Sequence, residues 1–184
     1  MPNQTTKLFF RWIMLAIVVS IDNERLTSEF RKIKAPLRLF LWTLWKFPAA
    51  RFAGIRIDKL EQGSCVVSIP GGWRSQNPFS SMYWAVQGMG AELATAGVPL
   101  ALVNSMDERV RTLVASQEAK FTKKAVGRIT FTCKDGDLAR SAIEESISTG
   151  KSVFADFKAT GTDSSGEVVS EWIFKWNFLV LNQR

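Results

Sequence analysis

One stretch, residues 71–97, constrains the fold of this chain more than any other. Its turn-rich beginning leads into a predicted helix from about Ser81 to Ala96 that is built almost wholly from small and apolar residues. Gly88 and Gly90 lie inside this helix, where each glycine costs about 1 kcal/mol relative to alanine. The compensating gain is the close approach of another backbone. We therefore predict a central helix that is enclosed on most sides by a β-sheet.

The start of this helix is well marked in the sequence. Asn77 can cap it with Pro78 at the first helical position, where the missing N–H of proline costs nothing. Ser80 and Ser81 are the alternative caps. In each case the free backbone N–H groups of the first turn are expected to point out of the helix start.

The helix carries a single carboxylate. Between Met82 and Gly97 only Glu92 is ionisable at neutral pH. One interpretation is a functional group, with a pKa raised by desolvation, that aligns or deprotonates a water molecule. The other is a partner for Arg74 or for a lysine of another subunit, or a hydrogen-bond acceptor across the helix. A lone buried acid is costly unless it is used or paired, so both interpretations stay open.

Alternating apolar residues predict six strands around the helix. They cover about residues 55–58, 64–69, 113–121, 128–133, 153–159 and 168–181. A loop is predicted at 98–109, and a short helix from Asp137 to about Ser148 is ended by Gly150. One face of the last strand is almost wholly aromatic. This order of elements indicates an α+β fold, in which a curved antiparallel sheet wraps one long helix and its open edges favour pairing into a dimer.

The first 51 residues differ in charge from the rest of the chain. They carry nine Lys/Arg and three Asp/Glu, whereas residues 52–184 carry fifteen and fourteen. The main domain is therefore close to neutral, which argues against a nucleic-acid-binding surface. The apolar run at 8–21 is shorter than a bilayer span and is compatible with a signal peptide, a loosely packed leader or an interfacial helix.

A second helix is predicted in this N-terminal part. It runs from Thr27 or Ser28 toward Phe47, with a bend at Pro36 and an end at Pro48. Its segment LRLFLWTLWKF is apolar nearly all round. One interpretation is a lid or a membrane-surface helix. The interpretation that we favour is a helix that packs across the main domain or against a dimer partner.

The rare residue types limit the chemistry. The chain has no histidine, so Ser-His-Asp and Cys-His nucleophilic sites are excluded. Cys65 and Cys133 each lie in an alternating apolar pattern, which is typical of buried, unreactive thiols. Without histidine or a C-x-x-C motif, no metal site is predicted.

Three motifs resemble a known family. They are WKFPAARFAGIRI at 45–57, IPGGWRSQNPFSSMY at 69–83 and AELAT at 91–95. Together with the order of elements they resemble the hotdog fold of acyl-CoA thioesterases, and more narrowly the bacterial hotdog family catalogued as domain of unknown function 4442. The resemblance covers residues 35–184 as a hotdog domain and leaves residues 1–34 as an N-terminal extension, helical or loosely ordered.

The resemblance implies a function class. It implies a homodimer or tetramer, with pockets at the subunit interface that bind acyl-CoA or an acyl carrier protein conjugate. We expect a cytoplasmic protein, or a membrane-peripheral one if the basic, aromatic N-terminal segment contacts a membrane surface. Coenzyme A is then part of the substrate, and no separate cofactor is implied. Active relatives of the phenylacetate type carry His-Gly-Gly at the helix start, and this chain has Phe79-Ser80-Ser81-Met82 there. We therefore expect either an acyl-thioester hydrolase or a non-catalytic acyl-CoA or lipid-binding dimer.

The candidate site residues form three groups. The catalytic candidates are Glu92, Asn77 and Ser81, although Asn77 and Ser81 are equally explained as caps. Amides around Phe79, Ser80 and Met82 are expected to hold a thioester carbonyl. A basic cluster at the turn between two strands is expected either to contact coenzyme A phosphates or to be a solvated turn; its members are Lys120, Lys123, Lys124 and Arg128.

Overall fold

The computed structural model describes residues 22–181, and it begins with three helices. These are α1 (Asn23–Lys34), α2 (Pro36–Lys46) and α3 (Pro48–Ala53). Asp22 caps α1, since its carboxylate accepts hydrogen bonds from the N–H groups of Glu24 and Arg25. The predicted single bent helix is thus two helices that begin earlier, and Pro48 starts a third instead of only ending the second. The apolar run at 8–21 lies outside the described residues.

The rest of the described chain forms one sheet and two further helices. The elements are β1 (Arg56–Glu61), β2 (Ser64–Ile69), α4 (Trp84–Ser105), β3 (Arg109–Phe121), β4 (Ile129–Cys133), α5 (Gly136–Thr149), β5 (Val153–Thr162) and β6 (Val168–Leu181). The strands follow the order β1-β2-β4-β5-β6-β3, and all neighbours are antiparallel. This confirms the α+β fold and all six predicted strands.

The small residues of α4 allow the sheet to enclose it. The helix contacts β1, β2, β4, β5 and β6. A Cβ atom on Gly90 would lie 2.7 Å from the Phe131 ring and 2.8 Å from Ile69 Cδ1, and one on Gly97 would lie 2.6 Å from Cys65 Sγ. Positions 90 and 97 are seven residues apart and share one helix face. The prediction of a tight contact at these glycines is confirmed, but the approaching atoms belong to side chains and not, as predicted, to another backbone.

The bounds of α4 differ from the prediction. The helix starts at Trp84 with Tyr83 as its cap and no side-chain capping bond, so none of the proposed caps starts it. It continues to Ser105 with Pro99 inside, where a loop was predicted. Burial of Val98, Ala101 and Leu102 against the sheet offsets the cost of the proline, about 3 kcal/mol. By length and composition α4 could cross a bilayer, but here it is the core helix.

The aromatic face of β6 forms the other side of the core. Trp172, Phe174, Trp176 and Phe178 are all buried, as the alternation predicts. The indole N–H of Trp176 donates to Thr95 Oγ1 of α4 over 3.1 Å, which fixes the helix on the sheet through a buried polar contact. The domain therefore has one core between α4 and the concave side of the sheet.

The N-terminal helices α1 and α2 differ in how closely they pack against this core. Helix α1 packs against α4 and β1 with Leu26 buried, which agrees with the favoured interpretation of a helix across the main domain. Helix α2 contacts chiefly its neighbours α1 and α3, and most of its described apolar side chains are exposed. It spans the space between α1 and α3 above one side of α4. The division of the chain at residue 34 stays a prediction.

Candidate functional site

Glu92 lies on the side of α4 that faces the N-terminal helices. Its side chain is half-buried and lines a cavity of about 100 Å³. The other walls come from α2 and from the segment around α3, through Trp42, Phe47 and Ala50 among others. Because α4 turns its glycine face to the sheet, this opposite side is where a charged residue can remain near solvent.

The Glu92 carboxylate has no hydrogen bond or ion pair within the described chain. Arg74, the partner considered from the sequence, instead places its guanidinium over the rings of Trp73 and Phe52. Burial raises the pKa of Glu92 above its ordinary value. A carboxylate with such a pKa is a better proton acceptor near neutral pH than an exposed one.

A second cavity adjoins the first. It measures about 200 Å³ and shares Trp42, Ile57 and Leu93 with the Glu92 cavity. Its far end is bounded by α1, at Lys32 and Ile33. The two cavities lie side by side between α4 and the N-terminal helices with mostly apolar walls, and Glu92 lines the smaller one; we call the two together the channel.

The backbone amides at the helix start are not free, contrary to the expectation. The N–H of Ser80 donates to Asn77 O and that of Met82 donates to Ala125 O over 2.7 Å. The N–H groups of Phe79 and Ser81 both donate to Asn77 Oδ1. The prediction that these four amides are available to a carbonyl is therefore wrong, because the loop itself supplies an acceptor for each.

The next two amides differ from these four. Trp84 and Ala85, the first residues of α4, have no acceptor for their N–H groups among the described residues. Close by, Gln87 is buried; its Nε2 donates to Met82 O, and its Oε1 has no partner in the described chain. The polar groups still available at the helix start thus begin one turn later than predicted.

Asn77 and Ser81 act on the loop. Asn77 Oδ1 also accepts from Ser81 Oγ over 3.2 Å, so the side chain closes a turn instead of capping α4. Ser80 has a φ of 58°, the positive value that this tight turn requires. Phe79 is largely exposed, whereas the Met82 side chain lies in the core. A catalytic or binding role for these residues stays a prediction.

Acids of the chain itself pair with two of the four cations in the basic cluster. Lys123 pairs with Glu167 and Asp163, and Lys120 lies 3.9 Å from Glu171. Arg128 donates to Ser68 Oγ over 2.7 Å, and Lys124 alone of the four has no hydrogen bond or ion pair in the described part of the chain. This arrangement favours the solvated-turn alternative, since the acids of the β5–β6 turn and β6 already satisfy two of the cations.

The two cysteines lie on neighbouring strands of the sheet. Cys65 and Cys133 are directly opposite each other on β2 and β4, both buried as free thiols. Burial raises their pKa values to about 12 and about 11. Thiols with such pKa values are poor nucleophiles near neutral pH. Among residues 22–181 no group of three or more Cys, Asp or Glu is placed to hold a metal ion.

The sequence interpretation missed the wall that α2 contributes. Trp42 lines both cavities, and Trp42 and Phe47 stack with ring centroids 5.6 Å apart beside Glu92. The available signal was the segment LRLFLWTLWKF, whose apolar residues extend around the whole helix. A helix that is apolar all round is expected to be buried, whereas most of the described apolar side chains of α2 are exposed.

The architecture and the channel define a class of protein. A six-stranded antiparallel sheet wrapped around one long helix is a hotdog fold, and solved hotdog-like structures share it. A protein of unknown function from Pseudomonas aeruginosa, described as a probable thioesterase, superposes with a TM-score of 0.65 at 22% identity over 82% of this chain and 99% of its own. A protein of unknown function from Chlorobaculum tepidum gives 0.68 at 12% identity over 83% and 98%. A thioesterase from Haemophilus influenzae gives 0.58 at 15% identity over 78% and 91%.

These identities are low enough to show the fold alone. The family model described as a domain of unknown function, DUF4442, matches residues 38–178. The chain therefore belongs to the DUF4442 family, as its motifs indicated. No curated protein matches it.

Proposed function

We propose that the protein hydrolyses an acyl thioester, with Glu92 as the general base. The observation that carries the proposal is a single carboxylate on the central helix, half-buried, without an internal partner, in the wall of a mostly apolar channel. The thioesterase names of two structural neighbours agree with it. An acyl chain suits the apolar walls, and coenzyme A or a carrier protein remains outside.

In the proposed reaction Glu92 acts first as the general base and then as the general acid. Glu92 accepts a proton from a water molecule whose oxygen bonds to the thioester carbonyl carbon. The carbonyl oxygen gains negative charge, and the tetrahedral intermediate collapses with loss of the C–S bond. The proton held by Glu92 is returned to the departing thiolate, so the products are a carboxylic acid and a thiol. The raised pKa of Glu92 helps the first of these proton transfers, because it makes the carboxylate a stronger base.

The oxyanion that develops on the carbonyl needs hydrogen-bond donors near Glu92, and a single chain does not supply them there. Ala85, the nearer of the two free amides, lies seven residues before Glu92, which is about 10 Å along the helix axis. Those amides also point away from Glu92, out of the helix start. One chain therefore does not place both groups around one carbonyl, and we propose that a second copy of the chain completes the site.

The edge strand β3 supports such an assembly. It pairs with β6 along its whole length, and its other edge has no strand beside it in the described chain. Leu113 on this strand is 59% exposed. A long unpaired edge favours pairing with an identical strand. Light scattering after gel filtration is expected to give a dimer or tetramer; a monomer at micromolar concentration would contradict the shared site.

The catalytic proposal is tested by thiol release. Purified protein is assayed with short, medium, long and aromatic acyl-CoAs and a thiol-reactive dye. We expect release with at least one of them, reduced about 100-fold or more in Glu92→Gln, because the amide accepts no proton. Glu108→Gln, which removes an exposed carboxylate outside the channel, is the matched control and should keep full activity. Equal rates for Glu92→Gln and the control would refute the role of Glu92.

A non-catalytic binder is the second candidate, and the bonded amides of residues 79–82 favour it. With those donors occupied, the helix start gives less help to an oxyanion than the resemblance implies. This candidate predicts that an acyl-CoA raises the melting temperature without thiol release. Absence of both stabilisation and release over the same panel would contradict both candidates.

A further inference from the structure

One surface of the molecule exposes far more aromatic area than the channel uses. We define the aromatic face as Phe40 and Trp45 of α2, Phe47, Phe52 of α3, and Trp73, together with Arg51 and Arg74. Trp45 is 81% exposed and Trp73 is 71% exposed. With about 150–250 Å² for each aromatic side chain, the five rings expose roughly 600 Å². Monomeric proteins rarely leave a continuous apolar patch of that size without a function.

Ring contacts join three of the five rings, Phe40, Phe52 and Trp73, with the two arginines, while Trp45 and Phe47 belong to the face as exposed rings at the end of α2. Phe52 and Trp73 meet edge to face with centroids 5.7 Å apart, which links α3 to the loop before α4. The Arg51 guanidinium lies 4.1 Å from the centre of the Phe40 ring, which links α3 to α2. Arg74 lies over the Trp73 ring at 5.6 Å. Aromatic rings and cations therefore alternate across elements that are distant in sequence.

The sequence segments around this surface are basic. The segments that supply it, residues 30–57 and 62–91, contain no Asp or Glu. The first carries seven cations and the second carries Arg74. Those of the first are Arg31, Lys32, Lys34, Arg38, Lys46, Arg51 and Arg56. All 17 acids of the chain lie elsewhere in the sequence.

This charge decides which partner fits. A second copy docked face to face would place cations against cations with no acid in either segment, so self-association through this face is disfavoured. An anionic lipid surface offers opposite charge, and the headgroup region is where tryptophan with neighbouring Lys and Arg is most stable. We propose that the aromatic face docks the protein on an anionic bilayer, with Trp45 and Trp73 inserted among the headgroups. The proposal does not depend on hydrolysis.

Vesicle co-sedimentation of the full chain tests it. Phosphatidylcholine vesicles are compared with vesicles that also contain phosphatidylserine, at low and at high salt. We expect binding to the anionic vesicles that weakens with salt. The double variant Trp45→Ser/Trp73→Ser should lose most of it, and Lys46→Glu/Arg74→Glu should weaken it at least tenfold, since each cation near the surface contributes about fivefold. These side chains are exposed, so folding is expected to persist, and circular dichroism with a melting curve verifies this.

Matched control variants distinguish binding through this face from nonspecific adsorption to vesicles. Phe154→Ser removes an exposed ring on β5, and Lys158→Glu reverses an exposed charge on the same strand. Both should bind like the wild type. Equal binding of wild type and the Trp45/Trp73 variant would overturn the proposal and assign any lipid contact elsewhere, such as the apolar run at 8–21. Absence of lipid binding together with a change of oligomeric state in that variant would also overturn it, because the face would then be a protein interface.

Discussion

The substitution Gly90→Ala tests the physical reason for the central helix. Alanine is the better helix former by about 1 kcal/mol, so in an open helix this change stabilises. At position 90 the new methyl group would lie 2.7 Å and 2.8 Å from two atoms of the Phe131 ring and 2.8 Å from Ile69 Cδ1. Both neighbours are fully buried in the core, where a shift of either one disturbs further packed side chains.

The expected magnitude follows from two opposing effects. Forcing an extra carbon into a packed core costs about 1–3 kcal/mol, and three contacts below 3 Å place this site toward the upper end. After the helix-propensity gain, the free energy of unfolding is expected to fall by about 1–2 kcal/mol. For a chain of this length that lowers the melting temperature by roughly 2–8 °C.

Gly88→Ala is the matched control on the same helix. A methyl group there would lie 3.4 Å from the Trp172 ring, an ordinary contact. The propensity gain should then dominate, so we expect the free energy of unfolding to rise by about 0.5–1 kcal/mol. Urea unfolding of the three proteins, with equal m-values, measures the difference. A Gly90→Ala protein as stable as Gly88→Ala would refute the idea that the sheet, through its side chains, requires glycine at position 90.

Three further predictions concern single groups. Because burial raises the folded pKa of Glu92, the stability that the protonated form contributes at low pH is lost as pH rises through that pKa. Glu92→Gln should therefore raise the melting temperature near neutral and alkaline pH but not in acid. An equal shift at all pH values would contradict this prediction. Asn77→Ala removes the acceptor of three hydrogen bonds and should lower the free energy of unfolding by about 1–3 kcal/mol, with Asn104→Ala as an exposed control near zero. Cys65 and Cys133 should not react with a disulfide reagent until urea unfolds the protein; rapid reaction in the native state would show that the β2–β4 core opens.

Local patterns predicted the sheet and its helix because burial acts on neighbouring residues in a regular way. Each strand shows an apolar residue at every second position, so its place is visible within a few residues of the sequence. The same local rules placed the end of the helix too early, since Gly97 and Pro99 are usual stop signals. In the structure Gly97 faces Cys65 instead of ending the helix. The packing of a distant strand decided the outcome there.

The groups at the helix start were harder to predict because their partners are distant in sequence. The N–H of Met82 is taken by the carbonyl of Ala125, and Lys123 is neutralised by Glu167. No pattern within a single segment shows such pairings. Glu92 differs, because its isolation among small residues is itself a local feature. Its position and its lack of a described partner agree with the functional interpretation, while its role stays a proposal.

The two proposals meet at Trp42 and Phe47. These rings stack on each other, line the Glu92 cavity, and are 40% and 47% exposed on the outside. Phe47 belongs to the aromatic face and lines the Glu92 cavity as well. A protein selected only for stability would cover such rings and pair such a carboxylate, so their joint occurrence agrees with both proposals. An acyl chain that entered from a bilayer would reach Glu92 by displacing these two rings, and it would do so without exposing its apolar carbons to water.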